Sequence, residues 1–272
     1  MVDKEIVDVC NASAARMRRC IIDMAFRAGK TETHLGGSLS MTELLAGLYK
    51  GIICFRKEDP DWQERDRVIL SKGHAAMALY AALAESGIIE EEELEFFKKD
   101  GSRLSAHPSL GLPGIEFASG SLGQGLSQGV GVCIALKKMN NRKSRVYVFL
   151  GDGECNEGSV WEAAASAAHY GLDNLIAVID MNGLQYDGST GTVLNMEPME
   201  QKWQAFGWET VSIDGHNMNE VLEAYMQHHH VPLAILARTV KGKGISFAEN
   251  SRKYHTASLS SEQYEQAIRE LG

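Results

Sequence analysis

The stretch Val146–Gly188, VYVFLGDGECNEGSVWEAAASAAHYGLDNLIAVIDMNGLQYDG, decides the fold. A short run of β-branched and aromatic residues, VYVFL, stops at Gly151-Asp152-Gly153. An Ala-rich helical segment follows, and a second apolar run, LIAVID, ends at Asn182-Gly183. This is a strand-helix-strand unit with an oxygen ligand at the carboxyl end of each strand. In open parallel sheets ligands bind in the crevice beyond the carboxyl ends of the strands. Asp152 and Asn182, thirty residues apart, are therefore predicted to face one pocket. Hard oxygen ligands suit magnesium or calcium, and magnesium usually shares its shell with phosphate oxygens. A metal-bound anion is the expected occupant.

The same alternation continues on either side. Residues 5–28 carry apolar positions at helical spacing (Ile6, Val9, Cys10, Ala14, Met17, Ile21, Met24) and stop at Gly29. The loop THLGGSLS then leads into a second helix from Met41 through Tyr49. Arg67–Leu70 reads as a strand entering the turn Ser71-Lys72-Gly73-His74 and an Ala-rich helix. The charged run EEEELEFFKKDGSR is predicted to be an exposed helix with opposite charges at helical spacing. GSLGQG opens a helix of small residues, which by itself signals only close packing. Beyond the central unit come a helix in MEQKWQAF, the strand ETVSID, a helix from Asn219 to about His228, the strand PLAILARTV, the VKGKG turn and the terminal helix SSEQYEQAIREL. No linker, repeat or compositional break divides the chain. The reading is one α/β domain over residues 1–272, with an open, mainly parallel sheet and helices on both faces.

Of the 272 residues, 44% are hydrophobic and 23% charged, the balance of a soluble globular protein able to bury a core. The net charge of −9 argues against nucleic acid or an anionic membrane as a main partner, because both need a basic face. No run reaches the roughly 18 apolar residues of a membrane span. The start also lacks the basic-then-apolar order of a signal peptide, so the chain reads as cytoplasmic. Five widely spaced cysteines with no C-x-x-C pair read as reduced, structural thiols, Cys155 included. His228-His229-His230 reads as solvated surface, since consecutive side chains at a helix end diverge.

Three readings compete for Gly151-Asp152-Gly153. A dinucleotide fingerprint fails because Asn156 stands where the third glycine belongs, and a P-loop fails for lack of Gly-Lys-Ser/Thr. A metal-diphosphate clamp works: Asp152 offers a carboxylate, Gly153 lets a backbone amide approach phosphate, and Asn182 offers a side-chain carbonyl. GDG followed about thirty residues later by Asn-Gly after an apolar strand resembles the thiamine diphosphate motif. The chain as a whole resembles the transketolase family. The agreeing pieces are His34-Leu35-Gly36-Gly37, Asp66 through His74, His107-Pro108, GSLGQG, GDGECNEG, DMNGLQYDG and IDGHN.

That resemblance implies that Asp152, Asn182 and the main-chain carbonyl of Leu184 bind Mg²⁺, with Ca²⁺ or Mn²⁺ able to substitute. It places Gly153 and Asn182 on the diphosphate, and His74 with Gly120-Ser121-Leu122 along the cofactor. His34, His107 and His255 would face the substrate, with His255 also reaching the cofactor, and Glu157 would couple the two active sites of a dimer. A lone loop histidine is more often a hydrogen-bonded structural residue, so these roles rest on the motif set. His169 and His216 read as structural. Histidines with a pKa near 6.5 can exchange protons with sugar hydroxyls during carbon-carbon cleavage and re-formation.

The activity implied is transfer of a two-carbon ketol unit from a ketose or ketose phosphate to an aldose. Full-length members continue into a pyrimidine-binding domain carrying an activating glutamate, and this chain stops at Gly272. It therefore reads as one subunit of a split enzyme, inactive without a second subunit and forming a heterotetramer with it. Two departures stand out. Thr33 occupies a position where glycine is usual, and HLGGSLS is nearer to split transketolases and 1-deoxy-D-xylulose-5-phosphate synthases than to long transketolases. A synthase-like enzyme and a non-catalytic scaffold are the alternatives.

Overall fold

The computed structural model describes residues 2–272. Five strands, β1 (Arg67–Leu70), β2 (Val146–Gly151), β3 (Leu175–Met181), β4 (Glu209–Asp214) and β5 (Leu233–Arg238), form a wholly parallel sheet in the order β1-β2-β3-β5-β4. The helices are α1 (Lys4–Arg27), α2 (Leu35–Leu39), α3 (Thr42–Gly47), α4 (Ala76–Glu85), α5 (Gly125–Lys138), α6 (Gly158–His169), α7 (Thr190–Val193), α8 (Met199–Ala205), α9 (Met218–Met226) and α10 (Ser261–Leu271).

The central strands are buried on both faces, which explains their unbroken apolar runs. Side chains alternate between two cores. Tyr147, Phe149, Ile176, Val178 and Ile235 pack on α1, α3, α4 and α9. Val148, Leu150, Ala177, Ile179 and Leu236 pack on α5, α6 and α8. Each large aliphatic or aromatic side chain so buried contributes about 1.5–3 kcal/mol. Gly129 of α5 sits where a Cβ would lie 2.6 Å from the Val148 side chain, so its lack of a side chain lets α5 lie close on the sheet.

The outer helices form for local reasons. Asp3 caps α1 by accepting from the Glu5 amide at 3.0 Å, and Ser260 with Gln263 forms a reciprocal capping box on α10. Three expectations change. The loop before α3 contains a helical turn of its own, α2, and α3 ends at Gly47 in a wider turn, Leu48–Ile52, rather than running on as α-helix. The charged run yields only a 3₁₀ segment, Glu91–Phe96, because Leu94 and Phe97 are drawn into the core and the charges pair outward, Arg103 with Glu93 and Arg27 with Glu95. Among the described residues no helix is long and apolar enough to cross a membrane.

Candidate active site

Beyond the carboxyl ends of the strands lies a cleft of about 340 Å³. Segments after β1, β2, β3 and β5 supply Lys72 and His74, Asp152 and Gly153, Asn182 and Leu184, and Lys241. Loops outside the sheet add His34, His107, Gly120, Leu122 and His255. Asp152 and Asn182 face the same space, as the strand-helix-strand reading requires.

Asp152 is buried, its carboxylate accepting from the amides of Gly153 (2.8 Å) and Gly183 (2.7 Å). Burial, and then the neighbouring Asp180 charge, push its pKa up to about 6. Asn182 donates its amide to Asp180 (3.0 Å) and accepts from the Leu184 amide (3.1 Å). The Leu184 carbonyl accepts from the Lys241 ammonium at 2.9 Å. Carboxylate, amide carbonyl and backbone carbonyl are all hard oxygen donors, the set a magnesium or calcium ion requires. A buried carboxylate pushed up in pKa gains further from a cation that neutralises it. Among the described residues no group of three or more His, Cys, Asp or Glu side chains forms a metal site, so a metal here depends on amide and main-chain oxygens. Gly153 is tight, a Cβ there lying 3.0 Å from the Gln185 side chain, whereas one on Gly37 would make only ordinary contact with the His74 ring at 3.4 Å. The Gly153 amide is already held by Asp152, so it offers no free N–H to an anion in the cleft.

Four imidazoles converge above these oxygens. Ring centroids of His34 lie 5.4 Å from His74, 5.5 Å from His107 and 5.6 Å from His255, and His74 stacks on His255 at 5.4 Å. Every one is shifted toward the neutral form, which changes the expectation of unperturbed histidines. Burial, then His107 and Lys98, bring His34 down to about 4. Burial, then Lys241, bring His255 down to about 3, and burial lowers His74 and His107 as well.

Two lysines were not assigned a role from sequence, although both lie in quoted motifs. Lys72 is 1% exposed and ion-paired to the equally buried Asp180, and also donates to the Gly37 carbonyl (3.1 Å). Removing one partner of such a pair costs about 3–5 kcal/mol. Lys241 is 2% exposed, and burial with the Lys72 charge lowers its pKa to about 8. It donates to His255 Nδ1 at 3.0 Å. The proton of the neutral His255 ring therefore sits on Nε2. Glu154 was also missed. Its buried carboxylate takes the Ser71 hydroxyl and the amides of Gly123 (2.8 Å) and Gly151 (3.0 Å), tying three loops together.

Ser121 and Glu157 are not among the residues lining the cleft. Ser121 lines an adjoining depression with Ser71, Ser119 and Gln124. Glu157 is exposed at the start of α6, beside the Gly123 turn. Thr33 is buried and pairs its backbone with Ala257 in both directions at 2.9 Å, joining the His34 loop to the His255 loop. His216 takes the structural role expected of it. Its Nε2 accepts from the Val240 amide at 2.8 Å, so its Nδ1 donates to Glu43 at 2.9 Å, bracing the turn just before Lys241. Cys155 is fully buried with its thiol pushed well up by burial, which rules out a ready thiolate. His169 is exposed, outside the cleft.

Residues 10–272 match the family model described as transketolase, thiamine diphosphate binding domain. The chain belongs to the transketolase family. It is 38% identical over 268 residues to an apulose-4-phosphate transketolase subunit of Phocaeicola vulgatus, covering 97% of this chain and 94% of that one. It is 44% identical over 242 residues to a 6-deoxy-6-sulfo-D-fructose transketolase subunit of a Clostridium species, covering 88% of each. Transketolase from Campylobacter jejuni superposes on the whole chain with a TM-score of 0.91 and 31% identity, yet only 43% of that chain is matched. The chain thus spans less than half of the long transketolases and nearly all of the subunits.

Proposed function

We propose that residues 1–272 form the diphosphate-binding domain and subunit of a two-subunit, thiamine diphosphate- and Mg²⁺-dependent transketolase, moving a two-carbon ketol unit from a ketose to an aldose. The observation that carries this is the convergence of Asp152, Asn182 and Leu184 oxygens beneath four neutral imidazoles and two buried lysines in one cleft. Asp152, Asn182 and Leu184 hold the metal, and Lys241 with His74 binds the anionic cofactor. When bound, the cofactor supplies the carbon nucleophile that attacks a ketose carbonyl. His34 and His107 accept protons from substrate hydroxyls, as only neutral imidazoles can, while the His255 Nε2–H donates to a substrate oxygen.

The two subunit-sized relatives are named for apulose 4-phosphate and 6-deoxy-6-sulfo-D-fructose. Their names favour a donor with an anionic tail, phosphate or sulfonate, read largely by a second subunit that carries the pyrimidine-binding domain and its activating glutamate. The chain is inactive without that subunit, assembles with it as a heterotetramer in which Glu157 couples paired active sites, lines the cofactor with the Gly120-Ser121-Leu122 turn, and works in the cytoplasm on carbohydrate. The test is calorimetry of the chain with its co-expressed partner. Mg²⁺-dependent binding of thiamine diphosphate and ketol transfer are expected, and absence of binding overturns the reading.

A further inference from the structure

Asp180 sits beneath the cleft, 1% exposed, and its carboxylate collects donors from four separate segments. Ser40 donates from beyond α2 (2.6 Å), Lys72 from the turn after β1, Asn182 Nδ2 from the turn after β3 (3.0 Å), and Thr239 from the end of β5. Replacing a buried ion pair by apolar residues is often neutral or better for stability, so stability alone gives little reason for such a group.

We propose that Asp180 is the positioning residue of the metal site, holding the Asn182 amide so that its carbonyl oxygen, and not its nitrogen, is presented to the cation. The claim rests on the metal assignment made under the proposed function. A side-chain amide turned by 180° exchanges oxygen for nitrogen at almost no intrinsic cost, so its neighbours decide which way it faces. Paired with Lys72, the Asp180 carboxylate is an acceptor only and can take only the NH₂ end. The Leu184 amide is a donor only and takes the oxygen end at 3.1 Å. Together they leave a lone pair of Asn182 Oδ1 free for a cation. Flipped, Asn182 would turn an NH₂ toward the metal position and its oxygen toward a buried carboxylate.

The test compares two variants in a shared Lys72→Met background, which removes the unpaired buried ammonium from both. Asp180→Asn keeps an acceptor for Asn182, and Asp180→Leu keeps the bulk without one. Mn²⁺ binding is titrated in the presence of saturating thiamine diphosphate by electron paramagnetic resonance, using the full chain with its partner subunit, and thermal unfolding is recorded on the same samples. The Leu variant is expected to bind Mn²⁺ about 10–100-fold more weakly than the Asn variant, the usual effect of losing a group that orients a ligand. Equal Mn²⁺ affinity in the two overturns the proposal. Ser40→Ala and Thr239→Val provide a second arm that does not depend on the Leu variant folding. Each removes another donor to Asp180 but leaves the Asn182 contact, so each should lower the unfolding temperature with Mn²⁺ affinity held within about threefold. Affinity that falls in step with unfolding temperature across these variants also overturns it. A wild-type chain that binds no Mn²⁺ overturns instead the metal assignment beneath it.

Discussion

The sheet carries a cleft at each end, each of about 340 Å³ and each lined by cations, yet only one is built as a site. At the amino ends of β2 and β3, Lys137, Arg142, Lys143 and Arg145 surround a hollow with Asp173, Asn174 and His228. Arg142 and Lys143 are exposed, Lys137 is spent on Asp173 and the Gly171 carbonyl, and Arg145 on the Tyr225 carbonyl at 3.2 Å. At the carboxyl ends, Lys72 and Lys241 are almost wholly buried, paired or aimed at carbonyl oxygen, and surrounded by imidazoles pushed toward neutrality. Positive charge is common to both. Desolvation distinguishes them, because a charge removed from water has a fixed position and a stronger field, whereas an exposed one is mobile and screened.

The largest expected contrast concerns stability. Lys72→Met leaves Asp180 buried without its cation and should cost about 3–5 kcal/mol in denaturant unfolding. Arg145→Met, at the other cleft, should cost less than about 1 kcal/mol, and similar losses at both ends would erase the distinction. Next comes ligand binding. Groups that merely orient a metal ligand are worth about 10–100-fold in affinity, so Asp152→Ala should weaken Mg²⁺-dependent thiamine diphosphate binding by about 100-fold or more. Unchanged affinity in calorimetry removes Asp152 as a ligand.

The histidine shifts give a pH dependence of known sign. Below about pH 6.5 the unfolded chain protonates its histidines, while folded His34 and His255 resist until about 4 and 3. The unfolded state then binds more protons, so the ligand-free protein should lose stability as pH falls from about 6.5 to 4. The double variant His34→Asn, His255→Asn should show a shallower fall in unfolding temperature over that range. An unchanged slope would mean the two rings are not desolvated. The smallest effect is expected from Arg142→Ala with Lys143→Ala, which should leave thiamine diphosphate affinity within about twofold and stability within about 0.5 kcal/mol.

Much of this was legible in the chain itself. Strands with unbroken apolar runs, each followed by a polar or glycine-bearing turn, announced a parallel sheet with a cleft at one edge, and Asp152 and Asn182 face that cleft. The run EEEELEFF misled because its helical charge spacing hid Leu94 and Phe97, which the core claimed at the expense of a regular helix. Lys72 and Lys241 stood in plain view within SKGH and VKGKG. Their burial could not be inferred, since a lysine is normally solvated unless a partner is found for it.

Sequence alone determined the alternation of strand and helix and set Asp152 and Asn182 just beyond two strand ends, because side-chain periodicity and turn chemistry are local properties, while the histidines were singled out only by the family resemblance. Tertiary structure decided what those groups became. Lys72 meets Asp180 across 108 residues, and His34 meets His255 through the Thr33–Ala257 bridge. Charge state and amide orientation follow from burial and from which donors arrive together, and both are fixed only once distant segments share one low-dielectric space.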